Sequence, residues 1–274
     1  MKTNRSINFF IYLALIIMGI IMVFPFLWML TTSLKPASEV FLYPPKLFPQ
    51  NWQFKNYIAL WNAAPFGQFY INNIIVSIAI TVGQLITCSL GAYAFSRLKF
   101  KGRDKLFLLY LATLMIPFQV TMIPIYSIIK TLKLINTLKA IIVPSLFSAY
   151  GTFLLRQFFM TIPGELEESV KIDGGGYFLC YIAIIIPLSK TALATLGTFV
   201  FLFAWNNFLW PMLVINTLSL YTLPLGITFF QGRYGTQWNM LMGTGIITMM
   251  PLLIVYIFAQ RFFISGLTVG AVKG

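Results

Sequence analysis

The stretch Thr161-Ile-Pro-Gly-Glu-Leu-Glu-Glu-Ser-Val-Lys-Ile-Asp-Gly-Gly-Gly176 lies between two long apolar runs. It holds four of the chain's six acidic residues, Glu165, Glu167, Glu168 and Asp173, within nine positions. A carboxylate at a bilayer centre costs about 2.5–3.5 kcal/mol on insertion scales, so this segment is excluded from hydrocarbon. It reads as a short surface helix over 163–173. Pro163 suits a first helical position, acidic residues face the positive end of the helix dipole, and the glycines provide the exit. Its expected length is about 16 Å, too short to cross a membrane. Glu167 and Lys171 are spaced for an i,i+4 pair. Leu166 and Val170, followed by Ile172 or Asp173, predict an apolar face beside an acidic one. Such a helix suits docking into a partner's cleft.

The flanking sequence is that of an integral membrane protein. Of 274 residues, 59% are hydrophobic and 9% charged, and the mean hydropathy is +0.85. A soluble domain carries about 25% charge. The formal net charge of +13 raises the question of nucleic acid. The basic residues flank apolar runs, however, and are not interleaved with aromatics on polar segments, so they are read as topology-setting charge in contact with a lipid bilayer. No nucleic-acid partner is expected. Cys88 and Cys180 sit in apolar surroundings without paired spacing and predict neither a disulfide framework nor a metal site. The chain has no histidine, which removes Ser/His and Cys/His catalysis and most zinc chemistry. It also lacks a Gly-x-x-x-x-Gly-Lys-Ser/Thr phosphate loop. Any ATP, with its magnesium, would belong to another subunit. The chain is not expected to be an enzyme or to bind a cofactor itself.

Six spans are predicted, at about 9–30, 69–95, 106–128, 138–158, 183–203 and 241–262. The fold class is therefore all-α, a polytopic membrane protein with a cytoplasmic loop at 161–176, organised as a single domain over 1–274. The apolar run from Ser6 is too long for a signal peptide and has no small-x-small cleavage site after it. The Thr31–Gly67 segment, rich in proline and interfacial aromatics, reads as an ordered extracytoplasmic loop. Arg97-Leu-Lys-Phe-Lys-Gly-Arg-Asp-Lys105, with five positive residues in nine places, is the clearest cytoplasmic loop. This orientation puts Lys2, Arg5, Arg97, Lys99, Lys101, Arg103, Lys105, Arg156, Lys171, Arg261 and Lys273 inside. Lys35, Lys46, Lys55, Lys130, Lys133, Lys139 and Arg233 fall outside, and Lys190 lies near the inner interface. Both termini are then cytoplasmic. Pro117, Pro124, Pro144 and Pro251 predict kinked helices, serving either a pathway or ordinary bundle packing. Residues 213–239 are too broken for one helix and read as an extracytoplasmic loop with re-entrant or interfacial helix.

The residues Glu168-Ser-Val-Lys-Ile-Asp173-Gly174, followed by Ile186-Pro187-Leu188, resemble the glutamate-alanine-alanine loop of permease subunits in bacterial ABC importers. Tyr93-Ala-Phe-Ser-Arg-Leu-Lys-Phe-Lys-Gly-Arg103, Met115-Ile-Pro117, Phe153-Leu-Leu-Arg-Gln-Phe158, Trp205-Asn206 and the tail 266–274 extend the likeness over nearly the whole chain. They point to the second permease subunit of sugar importers of the maltose-transporter type. Ser169 and Val170 stand where that family usually has two alanines, and Gly175 and Gly176 where it has small residues such as alanine and serine.

The resemblance implies a function and partners. The chain would form a heterodimer with a second permease, dock on an ABC ATPase dimer, and receive an oligosaccharide or related polyol from an extracytoplasmic sugar-binding protein. The 161–176 loop would be the coupling helix, with Glu165, Glu168, Ser169, Asp173 and Gly174 at the ATPase. The tail, through Gly266, Gly270, Lys273 and Gly274, would make a second contact there. By the same resemblance, the loop between the last two spans would meet the binding protein at Tyr221, Gln231, Arg233 and Tyr234. Amides beside aromatic planes suit hydroxylated sugars, which makes Asn72, Asn73, Gln119, Trp205, Asn206 and Asn207 substrate-path candidates. Interhelical hydrogen bonding is the structural alternative for them. The rival function is an ion-coupled secondary transporter. Such a protein would normally show intramembrane charges and an internal repeat, and no acidic residue falls in a predicted span.

Overall fold

The computed structural model describes residues 5–232 and 235–271. The chain is helical nearly throughout, and the only strands among the described residues are the two-residue pair β1 (Gln231–Gly232) and β2 (Gly235–Thr236). Three helices are long and apolar enough to cross a membrane: α1 (Arg5–Ser33), α3 (Phe66–Arg97) and α14 (Trp238–Ala271). α2 (Lys55–Ala63) lies between the first two. Three further candidates are bent pairs, giving up to six spans if each pair is counted as one.

These bends correct the expectation of simple kinks. The predicted span 106–128 is two helices, α4 (Arg103–Ala112, extended by a 3-10 turn to Met115) and α5 (Phe118–Thr131), set at 101°. The break has a local cause. Ile116 precedes Pro117, and the proline ring disfavours helical backbone at the residue before it; Ile116 accordingly sits at φ −90°, ψ 113°. Pro124, inside α5, interrupts nothing. The predicted span 138–158 is α6 (Leu138–Ile142) and α7 (Ala149–Met160), bent by 42°, with the Ser148 hydroxyl capping α7 through the Gly151 N–H at 3.1 Å.

After α8 (Glu165–Ile172) comes another bent pair at 78°. α9 (Tyr177–Cys180) runs through a π-turn at Tyr181–Ile185 into α10 (Ile186–Leu188), and α11 (Lys190–Trp205) follows. Pro187 has no N–H for the Ala183 carbonyl, and the chain responds with the π-turn just before it. The broken segment after α11 contains α12 (Leu209–Val214), α13 (Leu223–Gly226) and the β1–β2 pair.

Two compact units divide the chain, one comprising 1–67 and 226–251, the other 68–225 and 252–274. In the first, the turn after α1 is pinned by a polar knot. Ser33 Oγ meets the Tyr57 hydroxyl at 2.8 Å, and Asn56 Nδ2 donates to the carbonyls of Ser33 and Lys35 at 2.8 and 2.9 Å. Asn239 Nδ2 reaches the Lys35 carbonyl at 3.3 Å. Phe66 is fully buried and stacks on Phe230, with ring centroids 5.8 Å apart.

The second unit is built where α3, α7 and α11 meet. On α11, Ala192, Leu196, Val200 and Ala204 recur every four residues and are buried, forming one packed stripe. Close approach depends on Gly151: a Cβ there would meet Cys88 Sγ at 2.9 Å and Leu196 Cδ1 at 3.2 Å. Cys88 and Cys180 are buried and unpaired with each other.

Candidate functional site

The acidic stretch folds as α8, starting two residues later than Pro163 and ending at Ile172. Gly164 is its N-cap, and its carbonyl accepts from the N–H groups of Glu167 and Glu168 at 2.9 and 3.2 Å. The C-terminus is closed by a pair of hydrogen bonds around a left-handed residue. Gly174 has φ +83°, its N–H donates to the Lys171 carbonyl at 3.1 Å, and the Gly175 N–H donates to the Val170 carbonyl at 2.8 Å. This is the Schellman arrangement, in which glycine takes the left-handed position without a Cβ penalty. Gly174 is therefore the residue that stops α8.

The faces of α8 differ from the sequence expectation. Leu166 and Ile172 are exposed, Ile172 to 85%, whereas Glu167 is buried at 5%. Glu165, Glu168, Ser169 and Asp173 are exposed beside those two apolar side chains. Glu167 does not pair with Lys171. Its Oε1 lies 3.0 Å from Arg97 Nε at the end of α3, and Lys171 Nζ sits 5.0 Å from the centre of the Tyr177 ring. Arg97 Nη2 also donates to the carbonyls of Phe159 and Ile162, both at 2.5 Å. Val170, one turn along the inward face, packs on the core.

The pairing has little local signal in sequence, since Arg97 lies in a run of topology-setting charges and Lys171 offers Glu167 a nearer i,i+4 partner. The usable signal was the i,i+3 relation of Glu167 to inward-facing Val170. Arg156 is a parallel case. It bonds the Phe95 carbonyl at 3.1 Å and meets Asp104 at 3.4 Å, so the basic loop and α8 occupy one end of this unit.

The remaining candidates fall into several groups. Asn72 and Asn73 are buried, Asn72 donating to the carbonyls of Ser219 and Tyr221 and Asn73 to that of Trp205. Trp205 is also buried, with its ring against Tyr70 and Phe201. Gln119 and Asn206 are exposed, and Asn207 is half-buried. Tyr221 is half-buried against Phe69, and Gln231 is exposed in β1. Gly266 and Gly270 lie within α14, which continues well past the predicted end of the sixth span. Arg233, Tyr234, Lys273 and Gly274 lie outside the described residues. Among the described residues, no group of His, Cys, Asp or Glu is arranged to hold a metal.

Comparisons with known proteins agree with one another. The family described as "Binding-protein-dependent transport system inner membrane component" matches residues 86–269. The chain is 34% identical over 276 residues to the arabinooligosaccharides transport system permease protein of Halalkalibacterium halodurans, covering 100% of this chain and 99% of that one. It is 35% identical over 274 residues to the sn-glycerol-3-phosphate transport system permease protein of Yersinia pestis, covering 97% and 98%. Among solved structures it resembles a chain of a bacterial ABC transporter involved in import of the acidic polysaccharide alginate. The TM-score is 0.85 at 21% identity, over 96% of this chain and 99% of that chain. A second alginate transporter structure, in complex with a periplasmic protein bound to an alginate pentasaccharide, gives 0.67 at 15% identity over 93% and 94%.

Proposed function

This chain belongs to the binding-protein-dependent transport system inner membrane components, and we propose that it couples ATP hydrolysis on a partner subunit to sugar movement through docking of α8. It is a membrane permease subunit of a sugar ABC importer rather than an enzyme. The observation that carries the coupling reading is the two-sided character of α8. Its outward face combines exposed Leu166 and Ile172 with Glu165, Glu168, Ser169 and Asp173, a mix of apolar and acidic groups suited to a basic-rimmed cleft. Its other face is held to the bundle. A rigid helix gripped on one side and offered on the other transmits displacement, whereas a loose loop would dissipate it.

The partners in this reading are a second permease, an ATPase dimer carrying ATP and magnesium, and an extracytoplasmic binding protein. The tail from Gly266 makes a further contact with the ATPase. Tyr221, Gln231, Arg233 and Tyr234 are assigned in this reading to contact with the binding protein. The contact of α8 with Arg97, the first residue of the basic loop whose Asp104 pairs with Arg103 and Arg156, supports a cytoplasmic placement for this end, and with it cytoplasmic termini. The substrate is an oligosaccharide or a related polyol, the chemistry handled by the arabinooligosaccharide and glycerol-phosphate relatives. Exposed Gln119 and Asn206, with half-buried Asn207, offer amides to its hydroxyls, while Asn72, Asn73 and Trp205 are buried.

The test is gentle affinity purification from the native membrane, comparing wild type with Glu168→Lys and Gly174→Asp. The expected result is recovery of a second permease and an ATPase with the wild type. Each variant should insert normally, lose the ATPase and lose uptake. Normal uptake by both variants would remove the docking assignment. Uptake that continues with the ATPase inactivated and follows an ion gradient would make the protein a secondary transporter.

A further inference from the structure

We propose that Arg97 and Glu167 form the strut through which movement of α8 reaches the transmembrane helices, a reading that rests on docking of α8 as set out above. The covalent connections of α8 are poor force carriers. Gly164 precedes it and Gly174, Gly175 and Gly176 follow it, and beyond the two capping bonds of Gly174 and Gly175 this backbone has glycine's wide conformational freedom. What joins α8 to the bundle is side-chain chemistry. Glu167 Oε1 lies 3.0 Å from Arg97 Nε, with side-chain exposures of 6% and 14%. The same guanidinium holds the Phe159 and Ile162 carbonyls, so Arg97 ties the end of α3, the last turn of α7 and α8 at one point. Cys180 Sγ, at the last residue of α9, reaches the Glu167 carbonyl at 3.7 Å. The guanidinium hydrogen-bonds two backbone carbonyls and meets Glu167 as a close ion pair whose Nε and Oε1 atoms make no hydrogen bond, so its orientation is set by the carbonyls and its distance to α8 by charge, a combination that a lysine's point charge would not reproduce.

The division of labour within the acidic stretch follows. Glu165, Glu168 and Asp173 are exposed toward a partner, and Glu167, adjacent in sequence to Glu168, is turned about 100° around the helix into the protein. Arg97 and Glu167 are positioning residues: they touch neither nucleotide nor sugar, and they act by making α3, α7 and α8 move together. A buried ion pair of this kind also invites a purely structural explanation, since removal of one charge strands the other. The two explanations differ in what they alter. Loss of a structural pair changes assembly or thermal stability, whereas loss of a strut leaves an assembled complex whose ATP turnover no longer moves the permease.

The experiment uses the whole importer, purified with its co-isolating subunits in lipid nanodiscs. A bimane fluorophore is attached at Met115→Cys, a position 84% exposed at the α4–α5 break, while both native cysteines are buried. ATP turnover and the bimane response to ATP plus vanadate are measured together. Glu167→Gln keeps the shape but not the charge, and the double change Arg97→Met with Glu167→Met removes both charges while filling the volume. The expected result is assembled complexes that hydrolyse ATP near the wild-type rate but show a bimane response reduced about fivefold or more, the lower end of ordinary inter-site coupling. A wild-type response in Glu167→Gln overturns the proposal, and that variant decides the matter if the double change prevents assembly. Glu168→Lys and Gly174→Asp in the same assay separate the two readings. If they abolish the response while Glu167→Gln preserves it, the strut alone fails. If they preserve it as well, the docking of α8 fails with it.

Discussion

Asn72 Nδ2 donates to the carbonyl oxygens of Ser219 and Tyr221, at 2.8 and 3.0 Å, clamping a turn 147 and 149 residues further along the chain. Gln68 Nε2 donates to Asn72 Oδ1 at 2.9 Å and fixes which way the amide points. The next residue, Asn73, donates to the Trp205 carbonyl at 3.3 Å. Two consecutive asparagines on neighbouring faces of α3 thus hold both ends of the segment between α11 and α13. Asn72→Asp replaces the donor with an acceptor facing two carbonyls. The expected outcome is a loss of about 1–3 kcal/mol, with faster amide exchange across 217–222 by mass spectrometry. Unchanged exchange together with altered sugar affinity would return Asn72 to direct substrate contact.

The three glycines after α8 should respond to alanine very differently. At Gly175 an added Cβ would fall 2.5 Å from Val170 Cγ1 and 2.7 Å from the Val170 carbonyl oxygen, so backbone has to move. At Gly174 there is open space, but φ is +83° and alanine incurs a left-handed penalty of about 1 kcal/mol. At Gly176 there is open space and φ is −82°. Co-purification of the ATPase should therefore fall most for Gly175→Ala, less for Gly174→Ala and hardly at all for Gly176→Ala. Equal behaviour of Gly175→Ala and Gly176→Ala would contradict this helix exit.

The membrane character, the position of the acidic helix and its exit at Gly174 were legible because they depend on composition and local chemistry. Four carboxylates cannot enter hydrocarbon, and a glycine after a helix reads as a cap wherever it lies. The 101° break at Pro117 was half legible. Proline announced a disturbance, but whether a helix bends slightly or turns a corner is decided by tertiary packing, which has no local signature. The inward turn of Glu167 was invisible for a similar reason. Its partner Arg97 lies seventy positions earlier in sequence, and an i,i+4 lysine was the nearer explanation. Asn72 and Asn73 show the limit from the other side: an amide looks the same in sequence whether it grips a sugar or a carbonyl.

Lys133 and Asn136 both adopt left-handed backbone, at φ 57° and 62°, and should respond to glycine with opposite signs. Lys133 follows α5 in a Schellman arrangement, its N–H bonding the Lys130 carbonyl at 3.0 Å while Leu134 N–H bonds that of Ile129 at 3.1 Å. Its side chain is exposed, so Lys133→Gly should raise stability by about 1 kcal/mol through relief of backbone strain. Asn136 uses its side chain: Oδ1 accepts from Asn216 N and Thr217 N, both at 3.0 Å, and Nδ2 donates to Thr217 Oγ1 at 2.7 Å. Asn136→Gly should lower stability despite the same backbone gain. Thermal unfolding of the two variants in detergent gives the comparison, and shifts in the same direction would refute it.

Lys35 gives stability a pH dependence on the alkaline side. It is 2% exposed, with Nζ donating to the Lys46 carbonyl at 2.6 Å and lying 4.8 Å from the centre of the Trp28 ring. Burial lowers its pKa below the ordinary value of 10.5, and the negative charge of Glu39 partly opposes that. In the unfolded chain the lysine keeps its proton up to 10.5, so between the lowered value and 10.5 the unfolded state binds more protons. Unfolding free energy therefore gains from this group as pH rises through that window, and the full penalty is present below it. Lys35→Met removes the contribution, so the stability difference between wild type and variant should shift in favour of the wild type with rising pH. Glu39→Gln, which removes the opposing charge, should lower the pKa further and widen the window. Chemical denaturation of both variants across the alkaline range tests this, and a difference independent of pH would mean that Lys35 titrates as a free ammonium.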